Sequence, residues 1–267
     1  MREHGYKSSK YRKEVSRKCC ILVFSKKRIP PHLSLTAIDG VSCSIIMKKR
    51  ILVPYIAATL AMAASISVAA RDGAVVARSY MNYNDQKPSV AAEYRYQTVG
   101  ISWTNTYKIV TAEEARQIQD GIVIFAFPRC PYCRNLITEV TDVAVAENTT
   151  VYYCQIDKYR DRYEYNEKTG KPQITVEAGE GYTELLSWLD EYLADYTVTD
   201  EAKNKIEVGE KRIGAPTIIR VKNGEPVAKW QLDSVEGIEY PDNKYDGWDT
   251  AIKEKVEESL YAFFEEV

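Results

Sequence analysis

The chain has 267 residues, 45% hydrophobic and 28% charged, with 36 Lys+Arg against 38 Asp+Glu and a formal charge of −2. That composition excludes a disordered chain and a polytopic membrane protein, and the length allows one domain with insertions or two small ones. The near-zero charge averages two unlike parts: residues 1–70 hold 13 basic and 3 acidic residues, whereas 71–267 hold 23 basic and 35 acidic. Both histidines, His4 and His32, fall in the first part, so the second has no imidazole for a Ser-His or Cys-His mechanism or for a metal. An acidic body without a basic stripe also argues against nucleic acid as a partner.

The split has a simple reading. Met47-Lys48-Lys49-Arg50 opens an apolar run over 51–68 that ends in Ala69-Ala70. A basic start, an apolar centre and small residues, with Val68 and Ala70 before the cut, predict a signal peptide over 47–70. Residues 1–46 are then expected to lie upstream of the true start and to be disordered. The body is exported, to the extracellular space or the cell envelope. An uncleaved membrane anchor over 51–70 is the alternative.

Residues 71–107 are polar and rich in Tyr and Asn, and read as an N-terminal arm with at most one strand. YKIV (107–110) predicts a strand, and Thr111-Ala-Glu-Glu114 is a capping box opening a short helix that closes at Asp120-Gly121. IVIFAF (122–127) is a continuous apolar run of the length of a strand buried on both faces. A helix over about 131–147 follows, with Leu136, Ile137, Val140, Val143 and Ala144 on one face, and then the strand TVYYCQID (150–157). This β-α-β-α-β order implies a parallel or mixed sheet with helices on both faces. Residues 158–173 read as a polar, tyrosine-rich surface loop. A helix is predicted over 182–196 from Leu185, Trp188, Leu189, Tyr192 and Leu193, and a small hairpin over 197–208. Asn223-Gly224 between IIRV and PVAKWQ signals a second hairpin, and a helix over 249–265 closes the chain with Ile252, Val256, Leu260 and Phe263 or Phe264 inward.

Between the second strand and the second helix stands Cys130-Pro131-Tyr132-Cys133. A zinc site needs four ligands, and the only other cysteine in the body is Cys154, with no histidine there, so no metal is expected. A C-x-x-C that follows a buried strand and opens a helix is a redox signature. The helix N-terminus presents unsatisfied N–H groups to Cys130 and favours its thiolate, and Arg129 and Arg134 push the same way. Cys133, one turn in, suits the resolving thiol. A structural disulfide here is the bland alternative, but so short a loop restricts little chain.

FPRCPYCRN, QID at the end of the next strand, and GAPTIIRVKNGE, in that order, resemble the thioredoxin superfamily over about 108–265. The resemblance implies a thioredoxin-like α/β fold, a central mixed sheet with helices on both faces. It makes Pro216 a cis-proline facing the cysteine pair, and assigns substrate contacts to Pro131, Tyr132, Ala215, Pro216 and Thr217. With its signal and its 58 residues between Asp157 and Pro216, the chain is most similar to exported thioredoxin-like proteins of Gram-positive bacteria, some named bacteriocin transport accessory proteins. The long insertion, about 158–212, precedes the cis-proline strand. Three departures stand out. The buried acid of thioredoxins falls at Ile124, and their tryptophan before the first cysteine is Arg129. The Pro-Tyr pair is that of glutaredoxins, whose Thr-Val-Pro and Gly-Gly elements are missing, which rejects a glutathione enzyme.

The expected function is therefore an exported thiol–disulfide oxidoreductase without a cofactor. Its expected partners are protein or peptide thiols and disulfides, together with a redox partner of the envelope. The alternative is an adaptor that uses the fold to bind an exported peptide or a transporter. Cys154 reads as a core thiol, with a third redox role as its alternative. Asn148-Thr149-Thr150 matches a glycosylation sequon of a kind common by chance. Tyr159, Tyr163 and Tyr165 read as parts of a solvated loop.

Overall fold

The computed structural model describes residues 71–101 and 106–265. The signal peptide or anchor expected over 47–70 and the upstream segment expected over 1–46 fall outside the described residues. Among the described residues no helix is long and apolar enough to cross a membrane.

The apolar run GIVIFA forms β2 (Gly121–Ala126), and every residue of it is buried. It lies in a five-stranded sheet with β1 (Tyr107–Ile109), β3 (Val151–Gln155), β8 (Thr217–Lys222) and β9 (Glu225–Trp230), in the order β1-β3-β2-β8-β9. The first three strands are parallel and the last two antiparallel. Side chains alternate across the sheet and so build two cores. Ile122, Ile124 and Ala126 face one core with Tyr153 and Ile218; Val123 and Phe125 face the other with Cys154 and Ile219.

Helices cover both faces. On the first lie α3 (Pro131–Ala146) and α5 (Thr250–Glu265), which bury the expected stripes; Phe264, not Phe263, completes that of α5. On the second lie α2 (Ala112–Ala115) and α4 (Tyr182–Trp188). Thr111 and Glu114 close the capping box ahead of α2, each side chain accepting the other's backbone N–H, at 3.1 and 2.8 Å. Asn223 and Gly224 both adopt positive φ, 53° and 82°, as a two-residue turn between β8 and β9 requires.

The structure corrects three expectations. The arm is no loose leader: a helix, α1, spans 71–81 and buries Val76, Ala77 and Tyr80 in the first core. Residues 158–173 are no open loop. β4 (Arg162–Asn166) and β5 (Lys171–Val176) pair as a hairpin, because Tyr163 packs edge-on against Tyr196, at 5.7 Å and 90°. The helix expected to reach 196 ends at Trp188, and β6 starts at Ala194. Tyr196, Thr197, Val198 and Thr199 are β-formers, and pairing them with β7 (Lys205–Arg212) outweighs one more helical turn. Trp188 and Tyr192 fix the bend by donating to the Gly224 and Pro226 carbonyls, each at 3.2 Å. The hairpin expected over 197–208 is present and longer.

Candidate functional site

Cys130 ends the loop after β2 and is the N-cap of α3, with Pro131 in the first turn, where a missing N–H does no harm. Its own N–H donates to the Phe127 carbonyl at 3.1 Å. The Cys133 N–H donates to Cys130 Sγ at 3.3 Å, and the Cys130 thiol donates to the Ala215 carbonyl, also at 3.3 Å. The Ala215–Pro216 peptide is cis. Thus the two motifs, 85 residues apart, meet at one sulfur. Pro216 and Thr217 are buried, and the Thr217 hydroxyl donates to the Gly214 carbonyl. Tyr132 is 42% exposed and stands out beside the pair.

The two thiols differ in electrostatics. Burial alone would raise the pKa of Cys130. Hydrogen bonds from the Cys133 thiol and from the Cys133 and Tyr132 N–H groups, with the Arg160 guanidinium, outweigh it and leave that pKa lowered. Cys133 is pushed well up, first by burial, then by donating to Cys130 and by that neighbour's charge. Cys130 is therefore the more acidic of the two thiols, and Cys133 the one that holds its proton more tightly.

The arginines have distinct places. Arg129 is largely exposed and pairs with Asp157 at 3.3 Å. Arg134 is 2% exposed and turns away from the thiols. It donates to the carbonyls of Tyr80 and Pro128 at 2.9 and 3.0 Å and to that of Gln97, and its guanidinium lies over the Tyr96 ring, so it ties the segment after α1 to α3. Arg160, just past β3, is the cation whose field reaches Cys130. Nothing in the sequence marked it, since it lies 30 positions from Cys130 in a stretch that reads as solvated.

Ile124 is buried and apolar, as its residue type requires. Two phenols missed in the sequence, Tyr80 of α1 and Tyr153 of β3, lie in the same core as Cys133 with their hydroxyls 3.5 Å apart. Both pKa values are raised, first by burial and also by the charge of Cys133. Cys154 faces the opposite core, where burial pushes its thiol up to about 12. Asn148, the sequon asparagine, closes α3 at φ +51°. Among the described residues no group of three or more His, Cys, Asp or Glu is placed to hold a metal.

Beside Cys130 lies a cavity of roughly 240 Å³, with Phe127, Arg129, Asp157, Arg160, Asp161 and Arg212 in its wall. Compared with protein-family models, with curated proteins and with solved structures, the chain matches none of them.

Proposed function

We propose that the protein is an exported thiol–disulfide oxidoreductase of thioredoxin-like fold. The observation that carries this reading is the hold on Cys130 Sγ, between the Cys133 N–H and the Ala215 carbonyl beside a cis-proline. The strand order β1-β3-β2-β8-β9, with helices on both faces, supports the fold assignment.

The Cys130 thiolate attacks one sulfur of a client disulfide. The client S–S bond breaks, a mixed disulfide forms, and the departing client thiolate takes a proton from water. Cys133 then attacks Cys130 Sγ, and its proton passes through water to the departing client sulfur. The mixed disulfide breaks, leaving a Cys130–Cys133 disulfide and a client dithiol, so two electrons pass from the protein to the client. In reverse, the oxidised pair takes two electrons from a client dithiol. A stabilised thiolate favours the reduced pair, which tilts the protein toward oxidising or isomerising its clients. Pro131, Tyr132 and Ala215 form the surface on which an extended client segment lies, with Pro216 and Thr217 buried beneath it.

A Cys133→Ser variant is expected to accumulate mixed disulfides on Cys130 in envelope extracts, and the reduced wild-type protein to speed insulin reduction. No trapped client together with an uncatalysed rate would sink the reading. A potential near about −120 mV marks an oxidant and one near about −270 mV a reductant. One observation favours the adaptor as second reading: the insertion builds two two-stranded sheets outside the central one. Partner binding that survives Cys130→Ser unchanged would support it.

A further inference from the structure

The cavity beside Cys130 is lined by Arg129, Arg160, Arg162 and Arg212 against only Asp157 and Asp161. Arg129 is matched by Asp157 at 3.3 Å. Among the described residues neither Arg160 nor Arg212 forms a close ion pair, although both act on the Asp161 carboxylate at longer range; their guanidinium groups lie over the rings of Phe127 and Tyr196 at 4.7 and 4.1 Å. Arg212 donates to the Asp161 backbone carbonyl at 3.0 Å, yet its Nε is buried without a partner. Asp161 is 5% exposed, and its Oδ1 is likewise buried without one. Buried polar atoms left unpaired are costly, and two within one cavity wall, one donor and one acceptor, define a complementary ligand. That ligand presents an acceptor to the arginines and a donor to Asp161. The side chain and backbone N–H of an acidic residue supply both, whereas an inorganic anion supplies only the first. Phe127 joins the cavity to the nucleophile, since its ring lies under Arg160 and its carbonyl accepts the Cys130 N–H.

We infer that this cavity receives an Asp or Glu of the client polypeptide, close in sequence to the cysteine that Cys130 attacks. The carboxylate pairs with Arg160 and Arg212, and the backbone N–H of the same residue goes to Asp161. The preference is local and runs against the field of the whole body, in which acidic residues outnumber basic ones 35 to 23. The inference rests on the oxidoreductase reading for what brings a peptide to this place.

The test uses the full reduced protein and disulfide-bonded peptides in which a Glu is walked through each position flanking the cysteine, against Gln at the same place. Binding is measured by calorimetry on the same peptides with Ser for Cys, and kcat/KM on the disulfides. At one register the Glu peptide is expected to win by about tenfold in both, as for a charge-assisted hydrogen bond. The advantage should shrink with salt and in Arg212→Gln, which leaves Arg160 in place beside Cys130. Wild-type protein that treats Glu and Gln alike, within about twofold at every register, overturns the inference whatever the variant does. Tighter binding of the Glu peptide without any reduction of its disulfide would keep the carboxylate site and remove the oxidoreductase reading.

Discussion

The central sheet and the inserted segment between β3 and β8 are stabilised by different means. In β2 every side chain is buried, and two apolar cores meet across it. In β4 and β5 no side chain is fully buried; an edge-on tyrosine pair joins their sheet to that of β6 and β7, within which Arg212 lies over Tyr196. Burial on both faces makes the sheet rigid enough to hold a sulfur between two fixed partners. Aromatic and cation–π contacts suit a surface that carries charge, because they leave the guanidinium groups free to face a ligand. The scaffold supplies the thiols, and the insertion supplies Arg160, Asp161 and Arg212 beside them.

The largest expected effect lies in the sheet. Phe125→Ala removes a fully buried ring from β2 and should destabilise the fold by about 3–5 kcal/mol in denaturant titrations. The loss should appear equally in every probe, from either core and from the insertion. A loss confined to the second core would break the view of the sheet as one cooperative unit.

Next in size is the one change in the insertion expected to reach the sheet's chemistry. Arg160→Gln removes the cation that helps hold Cys130 below the ordinary thiol range. The pH profile of Cys130 alkylation should move upward and the rate at neutral pH should fall, because less thiolate is present. Arg160→Lys should restore most of it. An unmoved profile would leave the helix terminus and the two N–H groups as sufficient causes.

A smaller effect is expected within the insertion. Tyr163→Ala deletes the ring stacked edge-on against Tyr196, worth roughly 1 kcal/mol. Amide exchange across β4 and β5 should quicken while that of β2 stays unchanged. Equal acceleration in both would erase the distinction between the two regions.

The same contrast separates what the sequence made legible. β2, the capping box, the Asn-Gly turn and the stripe of α3 are local patterns, and each lies where its periodicity places it. α1 was illegible because its buried face is short, Val76, Ala77 and Tyr80, and the apolar Val75 and Met81 beside it face outward and blur the stripe. β4 and β5 were illegible because their tyrosines alternate with charge, a pattern that becomes a strand only once Tyr196 arrives from 33 positions away. The thiol pair and the cis-proline were legible as motifs. Arg160 was not, since its closeness to Cys130 is a property of the folded loop.

The smallest effect concerns the third thiol, which lies on the other side of the sheet from the pair. Cys154→Ala removes one small buried group and should lower stability at neutral pH by on the order of 1 kcal/mol. Its sharper signature is alkaline. Burial raises this thiol from an ordinary value of 9.0 to about 12, with Lys158 opposing slightly. The native state therefore keeps a proton that the unfolded chain gives up. Stability from this group is complete below the unfolded pKa and is lost as pH rises from there through the folded value. Wild-type protein should accordingly weaken faster than Cys154→Ala on going from pH 8 to about pH 10, so the gap between them narrows. The buried tyrosines, raised in the same direction, are common to both proteins and cancel in the difference. A gap that stays constant would mean that Cys154 ionises as readily folded as unfolded. Such a thiol would be open to solvent and available for exchange with the Cys130–Cys133 pair, and the separation of the two faces of the sheet would fail.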